Sequence, residues 1–233
     1  MKKTLSCLLL LMMLLSLSIQ GLAAGRLEIV QENLFQLSYY EKTVTCHYFT
    51  ELKNSGDKPV EFTRGLLELF DPDGNSVESA DISYCYPRVL QPGETAFISS
   101  QLDVDTALHT VNDQMLSLMQ QGKLTQKVVR LESEATMQKI DDGYSMDDYL
   151  VCHIKNTSGE VVREFDVVLS MRDSEGNILW ICTSNWYDYD FGLMPDSSME
   201  LRVETNNSFI NYWTENGLVP TKVDTIAYIQ TSL

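Results

Sequence analysis

The residues best suited to ligand chemistry lie late in the chain, where aromatic and acidic side chains alternate. Aromatic faces beside carboxylates hold sugar rings and cationic groups through stacking, hydrogen bonds and cation–π attraction. The candidate ligand-contact residues are Trp180, Trp186, Tyr187, Asp188, Tyr189, Asp190 and Phe191. Tyr84 and Tyr86 occupy the corresponding place in an earlier repeat, so the alternative is that these aromatic residues have a structural role.

A second set of oxygen-bearing side chains, Asp71-x-Asp73-x-Asn75, is similar to the start of a calcium loop. Such a loop needs glycine at its sixth position and glutamate at its twelfth. Here Gly74 is at the fourth position and Ile82 at the twelfth. An Asp-Pro-Asp-Gly run is typical of a hairpin turn, so we expect no metal site.

Residue types that perform catalysis are not grouped in this sequence. His47, His109 and His153 are scattered and do not have metal-ligand spacing. The serine-nucleophile, zinc-protease and phosphate-loop motifs are missing from the sequence. We therefore predict a protein without catalytic residues or cofactor. An enzyme whose site is assembled only by folding is the remaining alternative.

The amino terminus has the pattern of an export signal. Lys2 and Lys3 precede an apolar run over 8–19, and small residues follow over 21–25. The apolar run is short for a membrane span. The pattern predicts a signal peptide over 1–25 and a secreted or otherwise extracytoplasmic protein, with a retained anchor as the alternative.

The charge balance limits the kinds of partner. The chain has a formal net charge of −16, and loss of the two leader lysines would make the mature protein more negative. Such a surface repels phosphate groups, which argues against binding nucleic acid or anionic lipid. We expect an unidentified protein or glycan partner and no membrane span after signal cleavage.

Four cysteines follow the leader, two in each half of the chain. An even number of cysteines in an exported protein favours disulfides. The sequence predicts a Cys152–Cys182 bond, since both residues fall mid-strand near the same turn end. Cys46 and Cys85 are a weaker candidate pair, because they fall at opposite ends of a strand meander. Buried free thiols are the alternative for both pairs.

The two halves of the chain carry the same turn residues in the same order. Asn54 precedes Asp71 by 17 residues, and Asn156 precedes Asp173 by the same number. Pro92 follows Asp71 by 21 residues, and Pro195 follows Asp173 by 22. Matched spacing of three landmarks indicates a duplicated module. The predicted domains are 26–130 and 131–233.

Hydrophobic periodicity predicts that each module is mostly β with one helix before its last strand. Alternating residues predict strands over 27–37, 44–52, 60–70, 76–86 and 96–102, and again over 127–137, 149–154, 161–171, 177–184, 199–203 and 223–229. Helical spacing after Asp105 predicts the first helix, ending at Gly122, from Ala107, Leu108, Val111, Met115, Leu118 and Met119. The second helix is predicted over 208–215, ending at Gly217.

The strand and turn pattern resembles the FxLYD-type domain, an immunoglobulin-like sandwich of exported bacterial proteins. The matching residues are Asn54, the run Leu67-Glu68-Leu69-Phe70-Asp71, Gly74-Asn75 and Pro92-Gly93-Glu94. The second module keeps Asn156, Asp173, Gly176-Asn177 and Pro195, but it has Met171-Arg172 where an aromatic residue is expected. The resemblance implies two tandem immunoglobulin-like β-sandwich domains, and it assigns no catalytic residue.

Together these patterns predict a secreted, non-catalytic binding or structural module. The alternative is a carbohydrate- or peptide-binding protein that uses the aromatic-acidic loop 180–191.

Overall fold

The structure is a computed structural model that describes residues 24–40, 42–105, 109–141 and 146–233. The predicted signal peptide, apart from its last two residues, lies outside this described part. The described chain is mostly β-strand, arranged in antiparallel sheets, with one α-helix.

The first seven strands form two sheets, which we call the N-terminal unit. They are β1 (Leu27–Tyr40), β2 (Thr43–Asn54), β3 (Val60–Phe70), β4 (Ser76–Ile82), β5 (Val89–Leu90), β6 (Thr95–Asp105) and β7 (Asp113–Gln121). One sheet has the order β1-β2-β6, while in the other β3 pairs with β4, β5 and β7. Alternate side chains of both sheets, including Tyr48, Leu52, Phe62 and Leu67, form one buried cluster.

The remaining strands and the helix form the C-terminal unit. They are β8 (Gln126–Asp141), β9 (Met146–Lys155), β10 (Glu164–Arg172), β11 (Ile178–Tyr187), β12 (Ser198–Glu204), α1 (Asn207–Asn216) and β13 (Lys222–Ser232). The order β8-β9-β12 repeats that of β1-β2-β6, and β11-β10-β13 repeats that of β4-β3-β7. The strand pairing therefore shows the same duplication as the turn spacing. In this unit β8 also joins the two three-stranded groups into one six-stranded sheet. Its residues 126–131 pair with β13, and its residues 132–141 pair with β9.

A buried asparagine fixes the same corner in both units. Asn54 and Asn156 are fully buried. The side-chain amide of Asn156 donates to the carbonyls of Glu160 at 2.7 Å and Leu193 at 2.8 Å. That of Asn54 donates to the carbonyls of Lys58 and Leu90 at 2.8 and 3.1 Å. Each asparagine thus connects the end of its strand to two other backbone segments.

Replacing Asn156 with alanine is expected to cost about 2–4 kcal/mol, because it leaves buried carbonyls and amides without partners. Denaturant unfolding of the variant measures this loss. The exposed Asn207 is the control, and its change to alanine should stay within about 0.5 kcal/mol of wild type. Equal stability of the two variants would contradict the structural role of this corner. Asn54→Ala repeats the test in the N-terminal unit.

The helix prediction is confirmed in the C-terminal unit and wrong in the N-terminal unit. Helix α1 begins after Asn206, whose side chain accepts from the Ser208 amide, and ends at Gly217 in the left-handed conformation with φ 68°. In the N-terminal unit, 113–121 is the strand β7, paired with β3. Leu116 and Leu118 point to the core there, whereas Met115 and Met119 are exposed. The start of the predicted helix, at 106–108, lies outside the described residues.

The two units pack on each other through a shared core. The outer face of the β1-β2-β6 sheet contributes Phe35, Leu37, Phe49 and Phe97 to the hydrophobic cluster of the C-terminal unit. Strand β11 contacts all three strands of that sheet. Polar contacts extend the interface, since the Arg130 guanidinium on β8 donates to the Glu94 carboxylate and to the Thr95 carbonyl of the N-terminal unit, both at 2.9 Å.

Arg172 is a buried charged residue at this interface. It is 8% exposed, and its guanidinium donates to Glu51 and Gln31 of the N-terminal unit, both at 2.8 Å. It also donates to Asp224 of its own unit at 2.6 Å. The guanidinium carbon lies 5.8 Å from the centre of the Phe97 ring, at cation–π distance. One buried side chain therefore links both units.

Candidate functional site

The two tryptophans of the aromatic-acidic segment point into the C-terminal unit. Trp180 is 9% exposed, and its ring lies 6.3 Å from that of Phe209 on α1. Trp186 is half-buried and stacks on Phe165 at 5.0 Å with 27° between the ring planes. Both occupy the inward-facing positions of β11, so packing accounts for them.

The other three aromatic side chains of the segment are exposed. Tyr187, Tyr189 and Phe191 are 62%, 69% and 73% exposed. The rings of Tyr187 and Tyr189 lie 5.5 Å apart and are tilted by 32°. We call residues 187–191 the aromatic turn. Burying these rings against a partner would remove a large apolar area from water, which favours binding.

The backbone of the aromatic turn is fixed by hydrogen bonds. Oδ1 of Asp188 accepts the amides of Asp190 at 3.0 Å and Phe191 at 3.1 Å, and the Asp188 amide donates to the Arg163 carbonyl at 2.8 Å. One carboxylate oxygen of Asp188 therefore shapes the turn. Asp190 is exposed beside the rings, where an acidic group could meet a cationic or hydroxylated ligand.

Gly192 closes the turn in a conformation that other residues rarely adopt. Its φ is 71°, and a β-carbon there would lie 2.8 Å from Cγ1 of Val161 and from the Val162 carbonyl oxygen. Beyond it, Leu193 and Val162 exchange backbone hydrogen bonds of 2.7 and 3.0 Å. The aromatic turn is thus attached directly to the segment before β10.

Two exposed apolar residues beside the turn were missed by the sequence reasoning. Val161 is 42% exposed and Met194 is 50% exposed. They flank the paired residues Val162 and Leu193, so folding brings them to the same edge. Neither belongs to the aromatic-acidic pattern, and only knowledge of the Val162–Leu193 pairing would have identified them.

The corresponding tyrosines of the N-terminal unit also include one packed side chain and one exposed side chain. Tyr86 packs against the shared core, whereas Tyr84 is 67% exposed and lies 6.4 Å from the Tyr86 ring. Burial is the larger cause of the raised pKa of Tyr86, and the nearby Asp166 carboxylate adds to it. Tyr84 is therefore an exposed tyrosine outside the aromatic turn, which makes it a useful control position.

The aspartates of the repeated turns bind their own backbone. Oδ1 of Asp71 accepts the amides of Asp73 at 2.9 Å and Asn75 at 2.8 Å, and Asp173 does the same for Glu175 and Asn177. The hydrogen bond from the Asn75 side chain is the main reason that the pKa of Asp71 is lowered. Across the described ranges, no three His, Cys, Asp or Glu side chains are grouped to hold a metal ion.

Cys46, Cys85, Cys152 and Cys182 are free thiols in the structure. Burial raises the pKa of Cys46 to about 11 and that of Cys182 to about 12, so these thiols are protonated at neutral pH. After burial, the neighbouring Cys152 is the second cause that raises the pKa of Cys182. The Cys152–Cys182 and Cys46–Cys85 disulfides stay predictions.

No protein-family model and no curated protein matches this chain. Within the residues that the structure describes, no helix has the length and apolar character needed to cross a membrane.

Proposed function

We propose that this chain is a secreted, non-catalytic binding module made of two tandem immunoglobulin-like β-sandwich domains, and that the aromatic turn is its contact surface. The repeated strand pairing and the buried cluster between the two sheets of the N-terminal unit support this architecture. The turn residues that resemble the FxLYD-type domain are consistent with it.

A fixed arrangement of the two units supports a role in binding. The shared core and Arg172 hold the C-terminal unit on the N-terminal unit. A binding surface on such a body loses little conformational entropy when it meets a partner. The hydrogen-bonded backbone of the aromatic turn has the same advantage.

The exposure of Tyr187, Tyr189 and Phe191 is the observation that carries the proposal. Three large rings within five residues, next to Asp190, match the chemistry of a carbohydrate or a peptide with cationic side chains. Isolated exposed aromatic residues are common on protein surfaces, but a contiguous group marks an interaction surface.

The proposal predicts that a triple variant with serine at 187, 189 and 191 binds its ligand at least about thirtyfold more weakly, because even one hot-spot aromatic residue contributes about 2 kcal/mol or more. Glycan and peptide arrays on the mature protein identify the ligand, and titration with the strongest hit measures the loss. Tyr84→Ser is the matched control, since it removes an equally exposed tyrosine elsewhere.

The stability of the triple variant separates binding from structure. The three residues are exposed, so we expect a free energy of unfolding within about 1 kcal/mol of wild type. Retained array binding, or unfolding of the triple variant, would contradict a contact surface and support a structural role for the turn.

A further inference from the structure

A cleft of about 590 Å³ opens in the C-terminal unit, away from the aromatic turn. It lies between α1 with the following segment 217–220 and the paired strands β8 and β9. Clefts of roughly 300–1,000 Å³ are typical of small-molecule sites. Its wall includes Met137, Tyr149, Met171, Ile210, Trp213 and Val219.

The chemistry of the wall differs from that of the whole chain. The protein carries a net charge of −16, yet no Asp or Glu is among the described residues that line the cleft. Met171, Ile210 and Leu218 present apolar surface instead. Lys139 also lines the cleft, but it already interacts within the protein. Burying a cation here would require desolvation without an opposite carboxylate, and Lys139 is not a free partner for an anion. An uncharged, mainly apolar molecule fits the wall best.

The wall of the cleft also contains one buried polar group of interest, the indole N–H of Trp213. Its side chain is 3% exposed, and its Nε1–H has no acceptor among the described residues. A buried indole N–H usually has a hydrogen-bond partner, because leaving it unpaired costs free energy. Nε1 is itself buried, so the wall must open for a ligand oxygen in the adjoining cleft to accept this hydrogen bond.

We propose that this cleft binds an uncharged, mainly apolar molecule with a carbonyl or hydroxyl oxygen that accepts a hydrogen bond from Nε1–H of Trp213. This site is separate from the aromatic turn and does not depend on the function proposed for it. It exists because α1 is inserted between β12 and β13 and places Ile210 and Trp213 opposite Met137.

A pair of ligands with almost the same shape tests the hydrogen bond. 2-Acetylnaphthalene has the carbonyl, and 2-ethylnaphthalene lacks it. Titrations followed through the tryptophan indole N–H signals in ¹⁵N-correlated NMR give the Kd of each, and Trp213→Phe assigns the relevant signal. We expect saturable binding of the acetyl compound, about fivefold tighter than the ethyl compound, with a shift of the Trp213 signal. Trp213→Phe should remove the difference.

An aspartate introduced at the mouth of the cleft tests whether the two compounds bind there. Val219→Asp is expected to weaken binding of both compounds about tenfold, because it places a carboxylate beside the apolar ligand. Val219 is 64% exposed, so the fold should tolerate the change. Val30→Asp is the matched control, since Val30 is 55% exposed and lies on β1. Absence of saturable binding, equal affinity for the two compounds, or equal effects of the two aspartates would overturn the proposal.

Discussion

Replacing Arg172 with methionine is expected to lower the free energy of unfolding by about 3–5 kcal/mol. The methionine fills most of the arginine's volume, so the loss comes mainly from the charges left behind. Glu51 and Asp224 have side chains only 15% and 31% exposed, and each would lose its guanidinium partner. Removing one member of a buried ion pair costs far more than replacing both members with apolar residues of similar volume, because the remaining charge is left without a partner.

Denaturant unfolding of the purified protein measures this effect. Arg64→Met is the matched control, because Arg64 pairs with Asp81 where both side chains are 57% exposed. An exposed pair contributes only about 0–1 kcal/mol, so Arg64→Met should remain close to wild type. If the two methionine variants unfold alike, Arg172 does not hold the units together.

The same network predicts a pH dependence. Burial alone would raise the pKa of Asp224, but hydrogen bonds from Lys222 and Arg172, with their positive charges, lower it overall. A carboxyl group with a lowered pKa in the folded state contributes stability above its unfolded value, and this stability is lost as the pH falls. The stability gap between wild type and Arg172→Met should therefore narrow below about pH 4.

Replacing Phe209 with alanine is expected to cost about 3–5 kcal/mol. The Phe209 ring is 1% exposed and lies 5.7 Å from Phe49 and 4.8 Å from His47 of the N-terminal unit. It also contacts Trp180 at 6.3 Å and Trp213 at 5.9 Å within its own unit. A cavity at this position removes contacts on both sides of the interface at once.

Thermal and denaturant unfolding of Phe209→Ala provide the measurement. Phe191→Ala removes the same group from a side chain that is 73% exposed, and it should change stability by no more than about 0.5 kcal/mol. A Phe209→Ala protein as stable as Phe191→Ala would show that α1 does not connect the two units.

Turn chemistry explains why much of the strand order was predictable. Asn54, Asp71 and their counterparts Asn156 and Asp173 satisfy backbone groups at fixed places, so their spacing sets the strand lengths. The periodicity at 208–215 was equally informative, because Asn206 and Gly217 cap α1. These signals are local, and local signals can be read from sequence.

The wrong helix in the N-terminal unit has a physical origin. Met115 and Met119 are four residues apart and apolar, which suggested a helical face. In β7 they lie on the outer side of the sheet, while the alternating Leu116 and Leu118 face the core. Long-range pairing with β3 decides the conformation here, and sequence periodicity does not contain that information.

The candidate site was partly predictable for a similar reason. In a strand, residues two apart share a face, so Trp180 and Trp186 on β11 point inward while Tyr187 points outward. The contact between units was not predictable, because Phe35, Phe49 and Phe97 occupy what would be the solvent face of an isolated sandwich. The neighbours of Trp213 in the cleft likewise come from distant segments.

The position of β13 determines when the C-terminal unit can finish folding during synthesis. Strand β13 lies in the middle of its sheet, between β10 and β8. Until residues 222–232 leave the ribosome, β8 and β10 each have an unpaired edge, and such edges are prone to pair with other chains. The N-terminal unit completes its second sheet with β7 by residue 121. The first half of this chain can therefore form its sheets early, while the sheet of the second half depends on residues 222–232.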